Sequence, residues 1–217
     1  MSETSSPMLA LLLTGNELMT GDIVDSNSSM MATQLLDVGL AVSYKVTIAD
    51  DMDVLVEELI RLSLRHEVLI VNGGLGPTDD DLTSEALARA MGTSTEQHPE
   101  ALAHLEALFK SRGYILNAAN LKQAMLPAGA EIIANPVGSA VGFKVQLNGC
   151  QVICTPGVPS ELKRMLAQEI IPTLRSLTNP SDVPLRSRLK VFGMGESSLQ
   201  QALTDRFPDW PADLELG

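Results

Sequence analysis

Apolar positions follow two rhythms along this chain. Met8 to Thr14 and Val68 to Val71 are short, nearly unbroken apolar runs, the pattern of strands buried on both faces. Elsewhere the spacing is helical. Met30, Met31, Leu35 and Val38 share one face of Ser26 to Val38, which Gly39 ends, and Leu55, Leu59 and Leu62 do the same for Asp53 to Arg65. Leu40 to Ile48 has strand character. A helix is predicted from Leu82 to a stop at Gly92, with Leu87, Ala90 and Met91 inward. Another spans Pro99 to Arg112, with proline at its first position and Gly113 as its cap, and Asn117 to Met125 reads as a short helix.

Gly142 to Leu147 and Cys150 to Cys154 flank Asn148-Gly149, the signature of a β-hairpin with a type I′ turn. Ser160 opens a helix through Leu162, Met165, Leu166 and Ile170. Leu177 to Pro184 has the composition of a linker. Beyond it Arg186 to Phe192 reads as a strand and Glu196 to Leu203 as a helix, a tail too short to bury a core of its own. Strands alternating with helices over short crossovers predict an α/β class, a three-layer α/β/α sandwich with a mostly parallel sheet. The expected division is a main domain over 1–176, followed by a linker and small appendage over 177–217.

Composition narrows the function classes. Hydrophobic residues make up 45% of the 217 and aromatics 3%, so aliphatic side chains and methionine must form the core. With 15 basic and 27 acidic residues the net charge is -12, which argues against a nucleic-acid footprint and against an anionic membrane surface. No apolar run approaches membrane-spanning length, and MSETSSP carries no basic residue of the kind that opens a signal peptide. Cys150 and Cys154 fall on one face of their strand, about 13 Å apart at roughly 3.3 Å per residue, beyond the reach of a disulfide. Free, buried thiols suit the cytoplasm.

The candidate chemistry sits in the loops after the strands. Gly73-Gly74-Leu75-Gly76-Pro77-Thr78 and Asp79-Asp80-Asp81 form a glycine-rich, acidic junction between a buried strand and a helix start. Ligands of open parallel sheets bind at such junctions. Glycine lets backbone N–H groups approach a phosphate, and acids beside it require a hard cation such as Mg²⁺. Gly15 to Asp25 and Pro156 to Ser160 end on the same edge. Together the loops offer Glu17, Asp22, Asp25, Asp80 and Asp81 as oxygen ligands and the amides of Gly15, Gly73, Gly74, Gly76 and Gly157 as phosphate donors, with Lys122 as counter-charge. Plainer roles compete at single positions. Asp25 precedes Ser26 and Asn27 and suits a helix cap equally well, Glu17 and Asp22 suit solvated loop acids, and Lys122 suits an exposed helix lysine. No P-loop, G-x-G-x-x-G or G-x-S-x-G pattern occurs.

Several ordered motifs make the chain resemble the N-terminal domain of the CinA family (competence/damage-inducible protein A). They are Thr14-Gly15-Asn16-Glu17-Leu18, Gly21-Asp22-Ile23-Val24-Asp25-Ser26-Asn27, Gly73 to Thr83, and Pro156-Gly157-Val158-Pro159-Ser160-Glu161. Asn120, Lys122, Gln123 and Ala124 fit as well, as does Phe192-Gly193-Met194-Gly195-Glu196-Ser197. The resemblance implies a molybdopterin-binding-like fold, with Asp25 and Asp81 matching active-site acids. It also implies metal-dependent hydrolysis of ADP-ribose, or a related nucleotide, to AMP and ribose 5-phosphate. In that expectation Asp25, Asp81 and Asp80 are catalytic, and Glu17, Asp25 and Asp81 hold Mg²⁺, Mn²⁺ or Co²⁺. Gly15, Asn16, Gly73, Gly74, Gly76, Pro77, Thr78, Thr83, Lys122, Pro156, Gly157 and Pro159 bind substrate and phosphate. The tail resembles the start of a KH-like domain. A homodimer and a small-molecule nucleotide partner are expected. A pterin-binding role without hydrolysis is the alternative.

Overall fold

A computed structural model of the chain describes residues 7–177, 183, 185–187 and 189–211. They divide into two units, Met1–Pro184 and Leu185–Gly217. The first is built on a six-stranded sheet of order β2-β1-β3-β8-β7-β6. Its strands are β1 (Leu9–Thr14), β2 (Val42–Ile48), β3 (Val68–Asn72), β6 (Glu131–Ile133), β7 (Gly142–Leu147) and β8 (Cys150–Thr155). β2, β1, β3 and β8 run parallel, while β7 is antiparallel to both β8 and β6.

Alternation along the central strands explains the layers. Leu9, Leu11 and Leu13 of β1, with Val68 and Ile70 of β3, pack against Met31 and Leu35 of α2 (Asn27–Leu36) and Leu162 and Met165 of α7 (Pro159–Met165). Ala10, Leu12, Leu69 and Val71 face the other way. They meet Leu55, Leu59 and Leu62 of α3 (Met52–Ser63), Leu87 of α4 (Thr83–Ala90), and Ala101 and Leu105 of α5 (Pro99–Arg112). Because both faces are covered, β1 and β3 are buried along their whole length, which is why their sequences run apolar without a break. Cys150 and Cys154 are free and buried in the second of these clusters. Burial above all, and Glu67 beside it, pushes the Cys150 thiol up to about 12, and burial raises that of Cys154 further.

The β7–β8 turn forms as the Asn-Gly pair predicts, with φ of 53° at Asn148 and 85° at Gly149. Differences from expectation lie in short pieces. The first loop contains a five-residue helix, α1 (Asn16–Thr20). The stretch from Asn117 is α6 (Ala118–Leu121), then a 3-10 turn over Lys122–Ala124. It then enters β5 (Met125–Pro127), which pairs antiparallel with β4 (Thr95–Gln97) in a separate two-stranded sheet. Three-residue strands are too short to show a period, so β4, β5 and β6 left no pattern to read. After α7 the chain continues through a π turn over Leu166–Ile170 to α8 (Ile171–Leu174). No described helix is long and apolar enough to cross a membrane.

In the second unit the described residues contain one helix, α9 (Glu196–Arg206), which none of its residues buries. The strand expected over Arg186 to Phe192 does not form among the described residues, and position 188 lies outside them. The expected linker falls largely outside the described residues as well. Phe207 and Trp210 pack edge to face, centroids 6.0 Å apart.

Candidate active site

The carboxyl ends of β1, β2, β3 and β8 open into one cleft of about 530 Å³. Its floor is the loop from β3 to α4. Gly73 and Gly74 take φ of 111° and 67°, values open to glycine but strained for other residues. They also lie too close to neighbours for a side chain. A Cβ on Gly73 would meet the Thr14 carbonyl oxygen at 2.5 Å, and one on Gly74 the Thr83 Oγ1 at 2.4 Å. The Thr83 hydroxyl donates to the Gly73 carbonyl at 2.8 Å and fastens the loop from beneath.

Of the expected residues in this loop, Gly73, Gly74, Gly76, Pro77, Thr78, Asp80 and Asp81 all line the cleft. Asp81 takes both of its hydrogen bonds on Oδ2, from the Thr78 amide at 2.9 Å and from the Thr78 hydroxyl, leaving Oδ1 without a partner among the described residues. Thr78 also acts on Asp80. The nearby Thr78 side chain first, then the Asp80 backbone amide and the Lys122 ammonium, favour the charged Asp80 carboxyl and hold it below its ordinary range against a small opposing effect of burial, although the one Thr78 hydroxyl hydrogen is directed to Asp81. From the other loops, Gly15, Glu17, Pro156, Gly157 and Pro159 reach the same cleft.

Five expected residues are placed elsewhere, among them Asp22, which accepts from the Thr20 hydroxyl at 2.7 Å and does not line the cleft. Asp25 is not among the residues that line the cleft. Its carboxylate accepts the Ser28 amide at 2.9 Å and the Ser28 hydroxyl, and pairs with Lys45 of β2 at 3.4 Å. Burial opposes its charge, but these donors prevail and its pKa falls below 3.8. It serves the start of α2, the cap-like role that its position before Ser26 allowed. Thr83 is fully buried and holds the loop rather than facing a ligand. Asn16 turns aside to exchange hydrogen bonds with Asp50. Lys122 donates to the Thr78 carbonyl and lines a smaller neighbouring cavity.

Two of the expected phosphate donors are also occupied. The Gly15 amide donates to the Ile48 carbonyl at 3.2 Å and the Gly73 amide to Thr155 at 3.0 Å, both continuing the sheet. The amides of Gly74, Gly76 and Gly157 make no hydrogen bond among the described residues.

The cleft also holds acids to which the sequence reading gave no role. Asp50 follows β2 and accepts from the Thr14 hydroxyl at 2.6 Å and the Asn16 amide at 2.9 Å. Since β2 lies parallel beside β1, the rule that placed the other loops on one edge would have found Asp50 as well. Glu161 also lines the cleft, where the buried Asn135 amide donates to it at 2.8 Å. Behind Gly157 a buried network joins the strands. Asn27 donates to Asn72 and to the Gly157 carbonyl, and Asn72 donates to Thr155 and to the Pro156 carbonyl.

A divalent cation can be tested against these donors. The acids lining the cleft are carboxylates alone, the hard oxygen donors that suit Mg²⁺ or Mn²⁺. Among the described residues no group of three acids, histidines or cysteines stands close enough to hold an ion alone. In particular, the set Glu17, Asp25 and Asp81 is not assembled. The donors therefore fit a cation held by one or two carboxylates together with ligand phosphates.

The family model for the probable molybdopterin binding domain matches residues 10–176. A CinA-like protein of Colwellia psychrerythraea is 55% identical over 214 residues, 98% of this chain and 49% of that protein. One of Escherichia coli is 47% identical over 193 residues, 89% of this chain and 48% of its own. The chain thus spans about half the length of the curated relatives it matches. Among solved structures, the protein CinA with unknown function from Thermoplasma acidophilum aligns with a TM-score of 0.69 at 31% identity, covering 76% of this chain and 98% of that one. The molybdopterin biosynthesis enzyme MoaB of Thermus thermophilus aligns at 0.52 and 15% identity over 79% of this chain and 95% of its own, a likeness of fold alone.

Proposed function

The chain belongs to the family of the probable molybdopterin binding domain, in its CinA-like branch, and from that premise we propose that its cleft binds a nucleotide pyrophosphate and hydrolyses it. The substrate is ADP-ribose or a close relative, the products AMP and ribose 5-phosphate. One observation carries this reading. Unpartnered amides of Gly74, Gly76 and Gly157 share a cleft with Glu17, Asp50, Asp80, Asp81 and Glu161. Amides suit phosphate oxygens, whereas that many acids disfavour a bare phosphate.

One or two of Glu17, Asp80 and Asp81 would hold a divalent cation alongside the substrate's phosphates. Bound there, it would supply charge neutralisation and a more acidic water. The chain's own groups do the rest. Glycine amides orient the phosphates, and Thr78 fixes the Asp81 carboxylate through Oδ2 so that Oδ1 faces no competing donor. Water adds to one phosphorus as the P–O bond to the bridging oxygen breaks, and a cleft carboxylate, Asp81 first, takes the proton.

The test is AMP release from ADP-ribose with Mg²⁺, Mn²⁺ or Co²⁺ in turn, wild type beside Asp81→Ala. Metal-dependent AMP that the variant does not make supports the reading, and no AMP with any metal ends it. The family match favours a second reading, a pterin phosphate bound in the same cleft without turnover. Tight pterin binding by a protein that leaves ADP-ribose intact would select it.

A further inference from the structure

The loop between β6 and β7 is built around one buried side chain. Asn135 is 1% exposed. Its Oδ1 accepts the amides of Val137 at 3.2 Å and Gly138 at 3.0 Å. Its Nδ2 donates to the Ala140 carbonyl at 2.7 Å and to Glu161 Oε2 at 2.8 Å. α5 grips the same loop, where Arg112 donates to the Val137 carbonyl at 2.7 Å and His104 Nε2 stands 2.9 Å from that of Gly138. Three of the four Asn135 bonds shape the loop, and the fourth leaves it for a carboxylate of the cleft. A buried amide with all its partners met fixes the groups around it.

Gly138 completes the seat. A Cβ there would fall on the Glu161 carboxylate, yet Gly138 takes no positive φ, so its missing side chain serves space and not backbone conformation. Two other cleft acids sit in the same way. Glu17 lies over Gly15, where a Cβ would meet Oε1 at 2.7 Å, and Asp81 lies over Gly76, closer still. Glu161 is thus held at Oε2, with Oε1 unengaged and no ion pair among the described residues. It stands four positions past Gly157, whose amide is one of the three open to a phosphate. A carboxylate so near repels a phosphate and only accepts hydrogens, so the ligand group it suits is a neutral O–H donor attached to that phosphate.

We infer that Glu161 is a specificity residue of the cleft, accepting a hydrogen bond from a hydroxyl of the substrate's sugar, and that Asn135 and Gly138 are positioning residues that act through it. The inference rests on the proposed reading of the cleft as a nucleotide pyrophosphate site. It adds a reason for a phosphorylated sugar to be preferred over phosphate alone. Glu161 takes no part in bond breaking.

Calorimetric titration with ribose 5-phosphate and with inorganic phosphate, Mg²⁺ present, tests this on wild type, Glu161→Gln and Gly138→Ala. The ratio of the two affinities is the readout, because a change of cleft charge acts on both ligands alike. The wild type should bind ribose 5-phosphate about tenfold or more tightly, the worth of a hydrogen bond to a charged group. Glu161→Gln should bring the ratio down severalfold or more. Gly138→Ala keeps every polar group and must displace only the end of a flexible side chain. It should unfold near the wild-type denaturant midpoint and still lose the preference.

A wild-type ratio near one, or a ratio unmoved in Glu161→Gln, overturns the inference. A ratio lost in Glu161→Gln but kept in Gly138→Ala overturns the positioning by Gly138. If Gly138→Ala does not fold, Glu161→Gln decides. Mn²⁺ affinity lost in Glu161→Gln with the ratio unmoved assigns Glu161 to the cation and overturns the sugar role. AMP release from ADP-ribose on the same preparations separates the two proposals. A sugar preference without cleavage removes hydrolysis and leaves this inference; cleavage without the preference does the reverse.

Discussion

Two acidic loops of this molecule use the same local device to opposite ends. In the β3–α4 loop Asp81 accepts the amide and hydroxyl of Thr78, three positions before it. In the loop before α2, Asp25 accepts the amide and hydroxyl of Ser28, three positions after it. Asp81 keeps one oxygen unengaged and lines the cleft, while Asp25 adds a cation, Lys45, and does not. The difference shows that an aspartate fixed by a neighbouring hydroxyl is not yet a site. What matters is whether its second oxygen is already matched by charge.

The largest test of that contrast is catalytic. Asp81→Ala should lower metal-dependent AMP release from ADP-ribose by about a hundredfold or more, and Asp25→Ala should stay within about threefold of wild type by the same assay. Equal losses would put Asp25 back in the chemistry.

Next in size is the glycine backbone of the two loops. Gly73→Ala must place a methyl against the Thr14 carbonyl at a φ of 111°, and a loss of roughly 3 kcal/mol in denaturant unfolding is expected. Gly21 also has positive φ, 80°, but nothing lies within 4 Å of its missing Cβ. Gly21→Ala should cost only about 1 kcal/mol, for the backbone alone.

A smaller effect should follow from Thr78→Val, which leaves the amide bond to Asp81 and removes the hydroxyl. The carboxyl of Asp80, held low chiefly by the Thr78 side chain, should then titrate at higher pH. The acid limb of the activity profile should move upward with it, and an unmoved limb would show that Asp80 does not control the profile.

The smallest is a stability effect at Asp25. Its folded pKa lies below its ordinary 3.8, so its contribution is fully present above that value and is lost as pH falls through the folded pKa. Asp25→Asn should cost up to about 1 kcal/mol at neutral pH, and the two proteins should converge in stability once pH falls below the lowered folded pKa of Asp25. A gap that persisted in acid would rule out the ionised form as its source.

Much of this was legible in the sequence for identifiable reasons. β1 and β3 announced themselves because covering both faces leaves no position for a polar residue. The Asn148-Gly149 turn was legible because only such residues take its angles readily. α5 began and ended at the residues its proline and glycine marked. The glycine-rich loop stood out because a tight floor excludes side chains, and that exclusion is itself a composition signal.

The parts that escaped depend on distance in space. Asp50 and Asp25 are both loop acids near strand ends, and no local pattern separates them. The parallel pairing of β2 with β1 carries Asp50 to the cleft, and Lys45 on the same strand takes the charge of Asp25. Likewise the amides of Gly15 and Gly73 look free in one dimension and are filled by Ile48 and Thr155 once the strands align. Sequence alone thus determined the layers, the family and the loop that forms the cleft floor, because periodicity and steric demand are local. Only the tertiary structure decided which acids and amides remain available to a ligand, because availability is what is left after every long-range partner has been met.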